Sequence, residues 1–151
     1  MTALERAREV ASAVTDPELP VLSIGELGMV RDVVETDGGI EVAIAPTYIA
    51  CPAMAVITMD VEAALHAAGF TGAHVRITRE PPWTTDWVTP AAREKLRLAG
   101  IAPPGARGAA PACPQCGSAD TEEIAPFGAT ACKALWRCRA CREPFEHFKC
   151  H

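Results

Sequence analysis

Two Cys-x-x-Cys knuckles, Cys113-Pro114-Gln115-Cys116 and Cys138-Arg139-Ala140-Cys141, stand 21 residues apart near the end of this 151-residue chain. Two such knuckles present four thiolates to one point, which is the requirement of a closed tetrahedral zinc site. Iron held by four sulfurs and a redox dithiol are the alternatives. Trp136 and Phe145 are among the few large apolar side chains in the segment 113–151. A chain of about forty residues with so little core cannot fold on burial alone, so metal binding must contribute much of its folding free energy. Gly117 follows the first knuckle and supplies a tight turn there.

Six of the seven cysteines lie beyond residue 112, and that asymmetry divides the chain. Residues 1–101 carry 8 basic and 14 acidic side chains; residues 102–151 carry 6 and 5. The formal charge of −5 opposes a general nucleic-acid binder. No apolar run is long enough to span a membrane, and the N-terminus lacks a signal peptide's order, so the expected location is the cytoplasm. Cysteines in that compartment point to metal or redox chemistry. Ala102–Ala112 holds Pro103, Pro104, Gly105, Gly108 and Pro111 and reads as a linker. The expected domains are therefore 1–101, a linker at 102–112, and a ribbon at 113–151.

The first part reads as α+β, a small mixed sheet covered by helices. Thr2-Ala3-Leu4-Glu5 is a capping box opening a helix over 3–14. Asp16-Pro17-Glu18-Leu19-Pro20 breaks it and, taken alone, reads as a solvated turn. Met29–Thr36 is a strand, Asp37-Gly38-Gly39 a hairpin turn, and Ile40–Ala45 the returning strand. A helix follows from Pro52 to Ala68, then a third strand over Ala73–Thr78. Sheet order beyond the hairpin is not legible. Glu80–Trp87 is a loop whose Trp83 and Trp87 read as plugs beneath it. Thr89 and Pro90 open a last helix that Gly100 ends.

Cys51 lies in Pro46-Thr47-Tyr48-Ile49-Ala50-Cys51-Pro52-Ala53, between the second strand and the following helix. A thiol there meets free N–H groups and the positive end of the helix dipole, which favour a thiolate. Such a group can attack an electrophile or hold a soft metal; a small buried thiol is the other reading. Cys132, His147, Cys150 and His151 remain. The tail 145–151 reads as packed on the ribbon by Phe145 and Phe148, with a weak soft-metal site as the alternative. Lys133, Arg137, Arg139, Arg142 and Lys149 are read as balancing the thiolates, so nucleic acid need not be invoked.

Asp16-Pro17-Glu18, Glu26-Leu27-Gly28, Pro46-Thr47 and Cys51-Pro52 resemble the motifs of the SufT-like iron–sulfur cluster assembly family. Glu26 stands where that family more usually has Asp. With Trp83-Thr84-Thr85-Asp86-Trp87, Gly100-Ile101-Ala102-Pro103-Pro104 and Thr130-Ala131-Cys132-Lys133-Ala134, the whole chain resembles the PaaD family. Its members are D subunits of bacterial phenylacetyl-CoA epoxidase systems. The resemblance implies a non-catalytic accessory role in phenylacetate catabolism, in maturing iron–sulfur or di-iron centres of the oxygenase or its reductase. It implies that Cys51 is reactive, that Asp16, Glu18 and Thr47 cluster near it, and that iron or a cluster is held there transiently. The expected structural metal is Zn2+, the expected partners are the oxygenase and reductase subunits, and a homodimer is compatible with all of this.

Two other classes stay open at this point. A thiol enzyme with Cys51 as nucleophile needs a base, and only His66 and His74 are on offer before the linker, both distant in sequence. A ribbon that binds nucleic acid or another protein is opposed, for nucleic acid, by the acidity of residues 1–101.

Overall fold

The computed structural model describes residues 1–47, 52–106 and 108–149. The chain divides into two compact units, Met1–Thr89 and Pro90–His151. Helix α1 (Ala3–Ser12) opens on the expected box: Glu5 N–H donates to Thr2 Oγ1 at 3.1 Å, and Thr2 N–H donates to Glu5 Oε2 at 2.6 Å. The Asp16–Pro20 segment is not a plain turn. Strands β1 (Thr15–Asp16) and β2 (Leu19–Ser23) pair antiparallel around it, and burial of Leu19 and Leu22 fixes the hairpin.

Strands β3 (Val30–Thr36) and β4 (Gly39–Ile44) form the expected hairpin. Helix α2 (Met54–Ala67) then crosses over, and β5 (His74–Ile77) lies parallel to β4. A parallel pair cannot be closed by a hairpin, so the crossover helix is obligatory and the sheet order is β3-β4-β5. The sheet is mixed, as expected. Helix α1 packs on β3, β4 and α2, and α2 packs on β5. Ile40, Val42, Ile44, Ile57, Val61 and Leu65 are buried, each contributing about 1.5–3 kcal/mol relative to exposure. Among the described residues no helix is long and apolar enough to cross a membrane.

The tryptophan loop is a fastener as well as a plug. Trp83 is buried, and its indole N–H donates to the Leu27 carbonyl at 2.7 Å. Thr89 N–H donates to the Glu26 carbonyl at 3.1 Å, and an Arg31 Nη donates to the Gly28 carbonyl at 3.2 Å. The Arg31 guanidinium lies 3.5 Å from the Trp87 ring centroid. Gly28 takes φ +72°, and a Cβ there would meet Trp87 Cβ and O at 2.6 Å. Only glycine fits that turn.

The second unit begins earlier than expected. Helix α3 (Pro90–Leu98) and β6 (Ile101–Ala102) belong to it, where the sequence had placed residues 1–101 together and 102–112 as a linker. The physical reason is local: α3 packs on β6, and β6 pairs parallel with β9 (Pro144–Phe148). The sheet is completed by β7 (Thr121–Ala125) and β8 (Lys133–Cys138), in the order β6-β9-β8-β7.

Replacing Trp83 by Phe keeps the ring and strands the buried Leu27 carbonyl. Urea unfolding of the chain should then show a loss of about 1–2 kcal/mol in the transition of the first unit. A midpoint unchanged from the parent would mean that the indole N–H fastens nothing.

Candidate metal centre

The two knuckles are built on the same backbone plan. Cys113 N–H donates to the Ser118 carbonyl at 2.9 Å, and Cys138 N–H donates to the Glu143 carbonyl at 3.0 Å, each five residues on. In the first knuckle Gln115 N–H points at Cys113 Sγ, and in the second Cys141 N–H points at Cys138 Sγ, both at 3.4 Å. The residue after each second cysteine is left-handed: Gly117 at φ +77° and Arg142 at φ +68°. Glycine makes that turn without penalty, whereas Arg142 carries a Cβ strain of roughly 1–2 kcal/mol. Gly117 makes the expected turn, and its own N–H donates to the Cys113 carbonyl at 2.9 Å.

The four Sγ atoms lie within 4.8 Å of one another. Cys113 Sγ is 3.7 Å from Cys141 Sγ, and Cys116 Sγ is 3.6 Å from Cys138 Sγ. Sulfurs at a zinc–sulfur distance of about 2.3 Å on a tetrahedron stand about 3.8 Å apart, so the donor set fits zinc in number, kind and spacing. Cys113 and Cys138 are buried beside Ala102, Phe145 and Trp136; Cys116 and Cys141 are exposed. Zinc, bound by these four, would supply a covalent tie between the knuckles.

The sulfurs also show why a cation belongs there. The Cys138 thiol is lowered to about 6, chiefly because the Cys141 backbone N–H donates to it. Cys141 is pushed up to about 12: the Glu143 backbone N–H lowers it, but loss of solvent and the neighbouring thiols outweigh that. Without a metal, one corner takes negative charge at its neighbours' expense. A divalent ion lets all four ionise.

Three of the five basic side chains expected to balance the thiolates pair with carboxylates instead. Arg137 and Arg139 both pair with Glu122, and Arg139 also pairs with Asp120 at 3.3 Å. Arg137 and then Arg139 hold the Glu122 carboxyl below the usual range. Lys133 is buried against Glu146 at 3.5 Å. Carboxylates were available on the neighbouring strands, and opposite charges in cross-strand positions find each other first.

The tail packs as expected: Phe145 and Phe148 are buried. His147 is buried with Nδ1 3.1 Å from the Ala102 carbonyl, and desolvation lowers its pKa. Cys132 Sγ lies 3.0 Å from Thr130 Oγ1. Both are engaged within the fold, and neither joins the four-sulfur group. Cys150 and His151 lie outside the described residues.

In the first unit Asp16 is 5 % exposed, and its Oδ1 accepts the Glu18 N–H at 2.8 Å. The turn of the β1–β2 hairpin thus folds the Asp16 carboxylate onto the Glu18 backbone. Glu26 and Ser23 cap one another: Ser23 N–H donates to Glu26 Oε1 and Glu26 N–H to Ser23 Oγ, both at 3.1 Å. Thr47 is half-buried just beyond β4. Cys51, to which the site reading gives the central role, lies outside the described residues. His66 Nε2 is 3.1 Å from the Ala73 carbonyl, and His74 Nε2 is 3.1 Å from Glu41 Oε2.

Comparison with known proteins covers both units. Residues 4–77 match the model of an iron–sulfur cluster assembly protein family, and residues 103–149 match that of the PaaD zinc beta ribbon domain. A relative from Escherichia coli, described as a putative D subunit of 1,2-phenylacetyl-CoA epoxidase, is 46 % identical over 145 residues. The alignment covers 92 % of this chain and 88 % of that one. The chain belongs to the PaaD family. A solved domain of unknown function from Bacillus anthracis is 27 % identical with a TM-score of 0.56, covering 62 % of this chain and 90 % of that one. A conserved hypothetical protein from Thermotoga maritima is 31 % identical with a TM-score of 0.52, covering 64 % of this chain and 94 % of that one. These two neighbours represent the α+β fold; the PaaD ribbon is the part that distinguishes this chain from them.

Sequence reasoning missed two parts of the centre. The recruitment of α3 and β6 had a signal in Ile101-Ala102, a short apolar pair after the helix stop, but two residues are too few to declare a strand. The left-handed Arg142 had none, because glycine marks such a turn and arginine does not. Arg142→Gly should therefore stabilise the metal-loaded ribbon by on the order of 0.5 kcal/mol, after the extra freedom of glycine in the unfolded chain is offset. Cys138→Ser should instead release the metal and unfold the ribbon, leaving the first unit's transition intact. Thermal melts with metal analysis decide both: a ribbon that persists in the serine variant would remove the metal from its folding.

Proposed function

We propose that this chain is an accessory maturation subunit of a phenylacetyl-CoA epoxidase system in phenylacetate catabolism. In this reading the first unit is an assembly domain whose Cys51 thiolate meets iron or an iron–sulfur fragment transiently. Asp16 or Glu18 serves as a hard second ligand or proton acceptor, and Thr47 lies beside them. The ribbon holds zinc as a structural ion through Cys113, Cys116, Cys138 and Cys141. The clients are oxygenase or reductase subunits of the system, in the cytoplasm.

The observation that carries the reading is the coincidence of two matches on one chain. A relative named as an epoxidase D subunit aligns over 92 % of it, and residues 4–77 match an iron–sulfur assembly family. The buried Asp16, turned back onto the Glu18 backbone, supports it as a carboxylate in a place chosen by the fold. The thiol-enzyme reading has less support. Both histidines of the first unit are bound to other partners, His66 to the Ala73 carbonyl and His74 to Glu41.

A merely structural Cys51 would tolerate alanine with a loss on the order of 1–2 kcal/mol and no specific defect. Cys51→Ala as sole copy should instead give a folded, zinc-loaded protein and no growth on phenylacetate. Oxygenase or reductase purified from those cells should be short of iron. Normal growth with fully loaded centres would overturn the proposed role.

A further inference from the structure

The sheet β3-β4-β5 ends in two edge strands, and among the described residues neither has a strand on its outer side. An edge strand shows a row of unpaired N–H and C=O groups on which another chain can build. In the parallel pair β4–β5, Thr78 N–H donates to the Ile44 carbonyl at 2.9 Å, so the backbone groups of His74, Arg76 and Thr78 face β4. Those of Ala73, Val75 and Ile77 therefore face outward. Two of these outward groups are met by side chains of α2. Val75 N–H donates to Glu62 Oε1, and His66 Nε2 donates to the Ala73 carbonyl, both at 3.1 Å. A carbonyl only accepts, so that His66 nitrogen carries the proton. The spacings match. Glu62 and His66 are one helical turn apart, about 6 Å along the axis, and Ala73 and Val75 are about 6.6 Å apart along the strand. The far edge has a similar cap. Val33 lies opposite Val42, whose backbone faces β5, so the Val33 N–H points outward, and it donates to Asp32 Oδ1 at 2.9 Å.

We infer that Glu62 and His66 form an edge guard: α2 takes the place of a fourth strand at β5 and keeps that edge from pairing with the β5 of a second copy of this chain. Both guard contacts lie within one chain, so they form without loss of translational freedom. A second copy must give that freedom up before it gains the same bonds. The carboxylate adds a further barrier, because an N–H bond to a charged oxygen is stronger than the bond to a carbonyl that would replace it. The charged side chains of β5 itself do not supply the barrier. Arg76 Nε and His74 Nε2 are both held by Glu41, at 2.8 and 3.1 Å. With the guard removed, the outward groups of Ala73, Val75 and Ile77 form a ladder that an antiparallel copy of the same strand fits. The inference rests neither on the role of Cys51 nor on the metal centre.

The test uses the full zinc-loaded chain. Amide exchange followed by NMR should show the Val75 N–H about tenfold faster in Glu62→Ala than in the parent, the ratio expected for one lost hydrogen bond to a charged group. Glu62→Gln keeps an acceptor and should stay near the parent's rate. The Ile57 and Val61 amides, on the buried face of α2, should keep the parent's rates in both variants. In sedimentation velocity over a rising concentration series, the double variant Glu62→Ala/His66→Ala should shift towards a dimer where the parent does not. Adding Ile77→Pro should restore the parent's behaviour, because proline there removes an outward N–H and no ladder bond. An unchanged Val75 rate in Glu62→Ala would overturn the inference, as would a double variant that sediments like the parent. Equal acceleration of the Ile57 and Val61 amides would overturn it too, since the two side chains would then hold the helix and not the edge. Association that survives Ile77→Pro would put the contact elsewhere and dismiss the guard.

Discussion

The constraint on which the second unit depends is the short distance between two turns. Strands β7, β8 and β9 are five or six residues each, and β6 is two. Ladders of that length, with one small apolar cluster around Phe145 and Trp136, cannot offset the chain entropy of ordering them. The knuckles sit where β8 ends and where the chain approaches β7, so tying them together closes the sheet at one end. At the other end the buried Phe148 does the closing. The knuckles and the small core meet, since Cys113 and Cys138 are buried with Ala102 and Phe145, and loss of either leaves the other with too little to hold.

The first unit faces a different problem. Glu18 and Glu26 lie on turns, and turns have free carbonyls. Three consecutive carbonyls, of Glu26, Leu27 and Gly28, are each met by a donor: Thr89 N–H and the Trp83 indole from far along the chain, and Arg31 from three residues on. Carboxylate and backbone then lock Ser23 to Glu26 from the front. A turn fastened on both sides presents its side chains at fixed positions, which is the property a site needs and which loops ordinarily lack.

What the sequence made legible divides along the same physical line. Local chemistry was readable: the Thr2–Glu5 box, the Gly38-Gly39 hairpin, the stop after α2, and each of the two Cys-x-x-Cys knuckles. Each is fixed by residues within a few positions of one another. The pairings that needed a distant partner were not. Nothing in His74–Ile77 says that it lies parallel to β4, and nothing in Ile101-Ala102 says that it joins β9. The Asp16–Pro20 segment misled for a related reason, since two prolines forbid a helix but leave a short hairpin open when Leu19 and Leu22 can be buried. Trp83 was read as a plug from its size, while its hydrogen bond to Leu27, 56 residues away, is tertiary information.

The division of charge in the ribbon follows from where fixed dipoles and mobile charges are best used. A zinc ion with four thiolates keeps two negative charges, and five cationic side chains are close in sequence. Of these, Lys133, Arg137 and Arg139 turn to Glu146, Glu122 and Asp120, and Lys149 rests 4.2 Å from the Phe127 ring centroid with its Nζ donating to the Pro126 carbonyl. Backbone N–H groups of Gln115 and Cys141 are left to meet the buried sulfurs. A backbone donor is held by the turn itself, does not titrate, and loses no side-chain entropy on reaching the sulfur. A lysine or arginine in its place would be screened by salt and would have to give up a carboxylate partner first. The outer charges therefore stitch strand to strand, as Glu122 and Arg137 do in register across β7 and β8, while the peptide backbone serves the buried sulfurs.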